Sequence, residues 1–168
     1  MDASTILQAG AVGAVAFDRK KRLASGTSTA GEPGKPVGCI SPIATVIGCG
    51  VYADEHGCVS VSGSETGIYC HAPARRIIQR LSRDVPIKSA VNMELDSLVV
   101  ETGDVRIGAV ALSAIGEPCI SFQCMHFPWA LCRKGCVYYG SRQDEQFCEK
   151  VEILERPLDC MCNTSDDD

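Results

Sequence analysis

Two helix-like segments stand between two blocks of strands, and that order limits the folds open to this chain. Around 74–83, Ala74, Ile77, Ile78 and Leu81 recur at helical spacing, while Arg75, Arg76, Arg80 and Arg83 face elsewhere. Pro73 occupies a position that a first helical turn tolerates. A second helix is expected over 87–99. Upstream, Val12, Ala14, Val15, Ala16 and Phe17 predict a buried strand over 12–18. With a polar turn at Asp18-Arg19-Lys20-Lys21 and a return strand at 22–27, this reads as a β-hairpin, and Arg19-Lys20-Lys21-Arg22 as its solvated tip. Gly31, Pro33, Gly34, Pro36 and Gly38 mark a loop over 30–42, before strands expected at 44–51 and 57–62. Beyond the helices, strands at 105–113 and 119–125 flank the turn Gly116-Glu117-Pro118, and short strands follow at 129–133, 136–139 and 150–154. The tail 163–168 is polar and acidic, which predicts disorder. Strands, then helices, then strands give an α+β class with helices layered on an antiparallel sheet.

A chain of 168 residues, 45% apolar and 22% charged, suits one domain with its own core. The net charge of −5 argues against nucleic acid as a partner. No apolar run approaches the ~20 residues of a membrane span. Met1–Gln8 has neither a basic region nor a long apolar core, so no secretory signal is read there and a reducing, cytoplasmic location is expected. The 11 cysteines are odd in number and irregularly spaced, with no C-x-x-C; His56, His71 and His126 follow no zinc spacing. No cofactor or metal is expected, and the thiols read as buried small hydrophobes. The alternative is a thiol-based metal or redox module built from Cys132, Cys136, Cys160 and Cys162.

Four stretches carry more specific information. The first is Gly10-Ala11-Val12-Gly13-Ala14-Val15-Ala16-Phe17-Asp18. The second is Thr27-Ser28-Thr29-Ala30-Gly31, which resembles TSTGG and places Thr29 18 residues beyond Ala11. The third is Gly48-Cys49-Gly50-Val51-Tyr52-Ala53-Asp54, close to GxGxYAD, followed by Val59-Ser60-Val61-Ser62-Gly63. The fourth is Phe127-Pro128-Trp129-Ala130, followed by Gly135-Cys136-Val137-Tyr138-Tyr139-Gly140. Together they resemble the β-subunit of the plant-type asparaginase/isoaspartyl peptidase family of N-terminal nucleophile hydrolases. The resemblance implies the β-subunit half of an αββα sandwich. It also implies a chemistry in which a threonine, freed by self-cleavage, attacks an amide carbonyl, its own α-amine takes the proton, and hydrogen-bond donors hold the oxyanion.

Against that pattern the chain departs repeatedly. Ala11 stands where the family has its nucleophilic threonine, and Met1–Gly10 precede it. Gly38-Cys39-Ile40-Ser41-Pro42 stands where the family has GRxGD, so Cys39 replaces the arginine and Pro42 the aspartate that clamp the substrate. TGxGE becomes Ser62-Gly63-Ser64-Glu65-Thr66. Thr29 remains as a catalytic candidate, with Ser62 and Gly63 as substrate-binding candidates. Each also has a plain reading: Thr29 bonding nearby backbone, Ser62-Gly63 as turn chemistry, and Trp129 as a core residue.

The resemblance divides the chain into a linker remnant (1–10), a β-subunit-like domain (11–140) and a C-terminal extension with an acidic tail (141–168). A lone half-sandwich exposes a sheet face and an edge. The expectation is therefore an inactive relative that pairs with an α-subunit-like chain, self-associates as a homo-oligomer, or is a fragmentary product. The alternative is an active amidohydrolase using Cys39 as a substitute nucleophile, with Lys35, His56 or His71 lowering its pKa.

Overall fold

A computed structural model describes residues 11–29, 38, 46–63 and 65–151. Nine strands and three helices occur among them, giving an α+β chain with antiparallel sheets. It divides into two compact units, Met1–Phe127 and Pro128–Asp168.

In the first unit, β1 (Ala11–Phe17) and β2 (Leu23–Thr29) form a hairpin whose register runs from Ala11↔Thr29 to Phe17↔Leu23. Asp18 closes its tip. One carboxylate oxygen accepts from the Lys20 and Arg22 amides, each at 2.8 Å, and the other from Arg22 Nε at 2.7 Å. Those bonds, led by the Arg22 amide, hold the Asp18 carboxyl below its ordinary range. The basic run is thus an exposed, locally braced turn.

The main sheet has the order β3-β4-β5-β6, from Val51–Asp54, Gly57–Gly63, Ile107–Ser113 and Pro118–Phe122. Between β4 and β5 the chain forms α1 (Glu65–His71), α2 (Pro73–Leu81) and α3 (Ile87–Thr102). Residues 65–71 were not singled out as a helix from the sequence. α1 is too short for a periodic signal, and a left-handed Ala72 (φ 49°) ends it before Pro73 starts α2. α3 runs past 99 to Thr102, where Gly103 (φ 70°) donates its amide to the Val99 carbonyl.

Alternation along β4 splits its neighbours between two faces. Val59 and Val61 join Ile68, Ile77, Ile78, Val91, Leu95 and Leu98 in the helix-side core. Cys58 and Ser60 face the β1–β2 hairpin: Ala16 O lies 3.8 Å from Cys58 Sγ, and a Cβ added to Gly13 would run into Ser60 Oγ. Glycine at position 13 is what lets the hairpin lie this close to the sheet. Ser60 Oγ is buried without a hydrogen-bond partner, part of the same close packing. Hydrogen bonds from Ser121 Oγ to Asn92 Oδ1 (2.7 Å) and from Gln123 Nε2 to Asp96 Oδ1 (2.6 Å) tie β6 to α3.

The segment 46–50, expected within a strand, forms turns and one isolated bridge. Its backbone has another task. α2 has no side-chain N-cap, and the Gly48 and Cys49 carbonyls accept from the Arg75 amide (3.0 Å) and Ala74 amide (2.9 Å) instead. The GxGxYAD-like stretch therefore satisfies the start of α2.

In the second unit β7 (Trp129–Arg133), β8 (Cys136–Gly140) and β9 (Phe147–Lys150) make an antiparallel sheet in that order. Lys134 (φ 52°) and Gly135 (φ 75°) form the β7–β8 turn, the positive-φ pair a two-residue hairpin favours. Among the described residues the last strand is β9 at 147–150; most of the strand expected at 150–154 lies outside them. Its register is set by pairing with β8, from Cys136↔Lys150 to Tyr139↔Phe147, which a reading of local sequence does not contain.

Candidate functional site

Gly13 meets β4 at Ser60, and the Ala16 carbonyl meets it at Cys58, so β1 and β4 run in opposite directions. Two residues back along β1 is Ala11, and two residues on along β4 is Ser62. Ala11 is also the direct backbone partner of Thr29. The backbone positions of Ala11, Thr29 and Ser62 therefore gather at one end of the hairpin–sheet stack, with Gly63 beside them. Four positions separated by up to 52 residues in the chain converge there.

Gly63 has a steric reason of its own. A Cβ there would collide with the Arg106 carbonyl oxygen and stand 2.9 Å from Ile107 Cα. The β4–β5 register, with Gly63↔Ile107, brings this backbone in close. Cys39, Pro42 and Lys35 lie outside the described residues.

Both histidines raised as helpers for Cys39 have other neighbours. His56 sits at the β3–β4 tip, its Nε2 3.8 Å from Glu55. The tip borders a shallow cleft of about 220 Å³ lined by Tyr52, Asp54, Arg75 and Gln79, at the opposite end of β4 from Gly63. His71 is 4% exposed and sits among the helices. Its Nε2 is 2.9 Å from Glu94 Oε2 and its Nδ1 is 2.9 Å from Glu101 Oε2. Arg76 Nη1 lies 2.9 Å from Nδ1, and Arg80 Nε bonds the other Glu94 oxygen.

This cluster was not anticipated from the sequence. Its only local signal is the seven-residue spacing of Glu94 and Glu101, which puts them on one face of α3. Arg76 and Arg80, read as facing away from the core, turn back to Glu94.

His71 holds the Glu101 carboxyl below its ordinary range. A lowered acid favours the fold while it is ionised, and that contribution disappears as the pH falls through its folded-state value. Denaturant midpoints of the native protein and Glu101→Gln should therefore differ at neutral pH and converge below about pH 4. A gap that stays constant with pH would remove the charge from the explanation.

The thiols divide in two. Cys58 and Cys119 are buried as expected, and burial pushes Cys119 up to about 11; Cys70, Cys132 and Cys148 are exposed. The β7–β8 register pairs Cys132 with Val137, which puts Cys132 and Cys136 on opposite faces of their sheet. Cys160 and Cys162 lie outside the described residues. Among the described residues no three His, Cys, Asp or Glu side chains converge in a way that could hold a metal ion.

Comparison with known proteins agrees with the family resemblance. The family model described as asparaginase matches residues 2–138, most of the chain. The chain belongs to the asparaginase family.

It is 30% identical over 131 residues to a Drosophila melanogaster protein bearing the name probable isoaspartyl peptidase/L-asparaginase, covering 77% of this chain and 39% of that protein. It is 30% identical over 144 residues to the Danio rerio isoaspartyl peptidase/L-asparaginase, covering 85% and 46% respectively. For the Homo sapiens isoaspartyl peptidase/L-asparaginase the values are 28% over 137 residues, 81% and 44%. The chain thus spans less than half the length of these asparaginase-family relatives. No helix among the described residues is long and apolar enough to cross a membrane.

Proposed function

We propose that this chain is a catalytically inactive member of the asparaginase family whose fold corresponds to the β-subunit half of the αββα sandwich. The observation that carries this reading is Ala11. It stands at the family's nucleophile position and supplies no oxygen to attack an amide. Supporting it is the gathering of Ala11, Thr29 and Ser62 at one end of the stack, the arrangement a site inherited from such an enzyme would keep. In that inherited site Thr29 is the catalytic remnant, and Ser62 and Gly63 are the remnants of the substrate pocket. The changes at Cys39 and Pro42 remove the carboxylate clamp as well.

The reading implies a partner. The outer face of the β1–β2 hairpin is exposed at Val12, Ala14, Ala16, Ala24, Gly26 and Ser28, with Val12 68% accessible. An α-subunit-like chain, or a second copy, is the proposed cover for this face. Within this reading, 11–140 is the β-subunit-like domain, with 1–10 a linker remnant and 141–168 an extension.

Purified protein should release neither ammonia from asparagine nor aspartate from a β-aspartyl dipeptide. Ala11→Thr should not restore hydrolysis or produce self-cleavage, because the clamp at 39 and 42 remains altered. Turnover by the unaltered protein would overturn the proposal, and its loss in Cys39→Ser would move the nucleophile to Cys39.

A further inference from the structure

The second unit places two thiols where they can act together. In the β8–β9 register Cys136 faces Lys150 and Tyr138 faces Cys148. Residues 136 and 138 share a face of β8, as 148 and 150 do of β9. Cys136, Tyr138, Cys148 and Lys150 therefore form a quartet on one face, with the cysteines on one diagonal. Cys132 lies on the other face and is not part of it.

Tyr138, directly opposite Cys148 and two residues along β8 from Cys136, shares that face with both. Its phenol is held above the ordinary range by Cys148 first and Cys136 second, each acting on the hydroxyl both through charge and as a hydrogen-bond partner.

We propose that Cys136 and Cys148 are an oxidisable pair that closes into a disulfide across β8 and β9 when a hydroperoxide is present. One thiolate attacks the peroxide, taking one oxygen as a sulfenic acid and releasing water. The second thiolate then attacks that sulfur, forms the S–S bond and expels the hydroxyl as water. Two thiols and one hydrogen peroxide become one disulfide and two waters, with two electrons passing from sulfur to oxygen.

Geometry makes the closure feasible. Diagonal neighbours across an antiparallel pair have Cα atoms about 7–8 Å apart, and a disulfide spans at most about 7 Å, so β9 must slide along β8 by about an ångström. β9 is built to supply that movement. Among the described residues it is an edge strand of its sheet, only four residues long, and all four are exposed. Cys148 is exposed and Cys136 half-buried, so a small peroxide reaches at least one sulfur directly.

The test uses the unaltered protein. Fully reduced chain is treated with hydrogen peroxide, remaining thiols are alkylated under denaturing conditions, and the peptides are mapped by mass spectrometry. The expected result is one Cys136–Cys148 bond, lighter by two hydrogens and reversed by a dithiol reductant. Ultraviolet titration of the folded protein should show one tyrosine ionising at lower pH after oxidation, and Tyr138→Phe should abolish that change while leaving the bond. Cys132→Ser should leave the bond intact. Sulfinic acid at either cysteine in place of the bond, a bond from either cysteine to any other thiol, or a link between copies would overturn the proposal.

Discussion

Glu94→Ala should destabilise the first unit by about 3–5 kcal/mol, the range for removing one partner of a buried ion pair. Glu94 is 1% exposed. One of its oxygens bonds Arg80 Nε, and the other lies 2.9 Å from His71 Nε2 and 3.6 Å from Arg76 Nε. Truncation takes the carboxylate from His71 Nε2, which keeps only Arg76 Nη1 at 3.2 Å, and leaves two guanidinium groups without theirs. The cluster joins all three helices, so the loss should appear as a lower denaturant midpoint with an unchanged slope. Glu101→Ala, at a carboxylate 53% exposed at its side chain, should cost less. A Glu94→Ala penalty below about 1 kcal/mol would show that the helices are held by their apolar core alone.

Gly63→Ala should cost about 3 kcal/mol, the upper part of the range for overpacking. The obstructing atoms are the Arg106 carbonyl and Ile107 Cα, both backbone, and no side-chain rotation relieves the clash. β4 and β5 must separate where they lead into the candidate site. Gly26→Ala is the control: a Cβ there meets nothing within 4 Å, and in a strand the added methyl should be neutral or stabilise by about 0.5 kcal/mol. Thermal unfolding of the two variants separates the readings. Equal midpoints would mean that the β4–β5 backbone yields easily and that Gly63 has no steric role.

Most of the fold was legible from local patterns. The hairpin at β1–β2 followed from apolar residues around a polar turn, although the strand expected to be buried leaves Val12, Ala14 and Ala16 exposed on one face, and α2 and α3 followed from helical spacing. The strands β7 and β8 were expected at 129–133 and 136–139, close to where they lie. Three features were not legible because they depend on partners distant in sequence. α1 holds seven residues and is anchored through His71 to α3. The turns at 46–50 are set by the need of α2 for carbonyl acceptors. β9 is placed by its ladder with β8. For the candidate site, the residue types at 11, 29, 62 and 63 were readable, but their convergence was not.

By itself, the sequence determined which chemical groups each position can offer. An alanine has no hydroxyl in any fold, so Ala11 cannot serve as a nucleophile whatever surrounds it. Only the tertiary structure decided what stands next to what. Antiparallel stacking of β1 on β4 carries the Ala11, Thr29 and Ser62 positions to one end, and strand register places Cys136 and Cys148 on one face. Residue identity sets which groups can react or pair; distance and burial, which exist only once the chain is packed, set which of them meet.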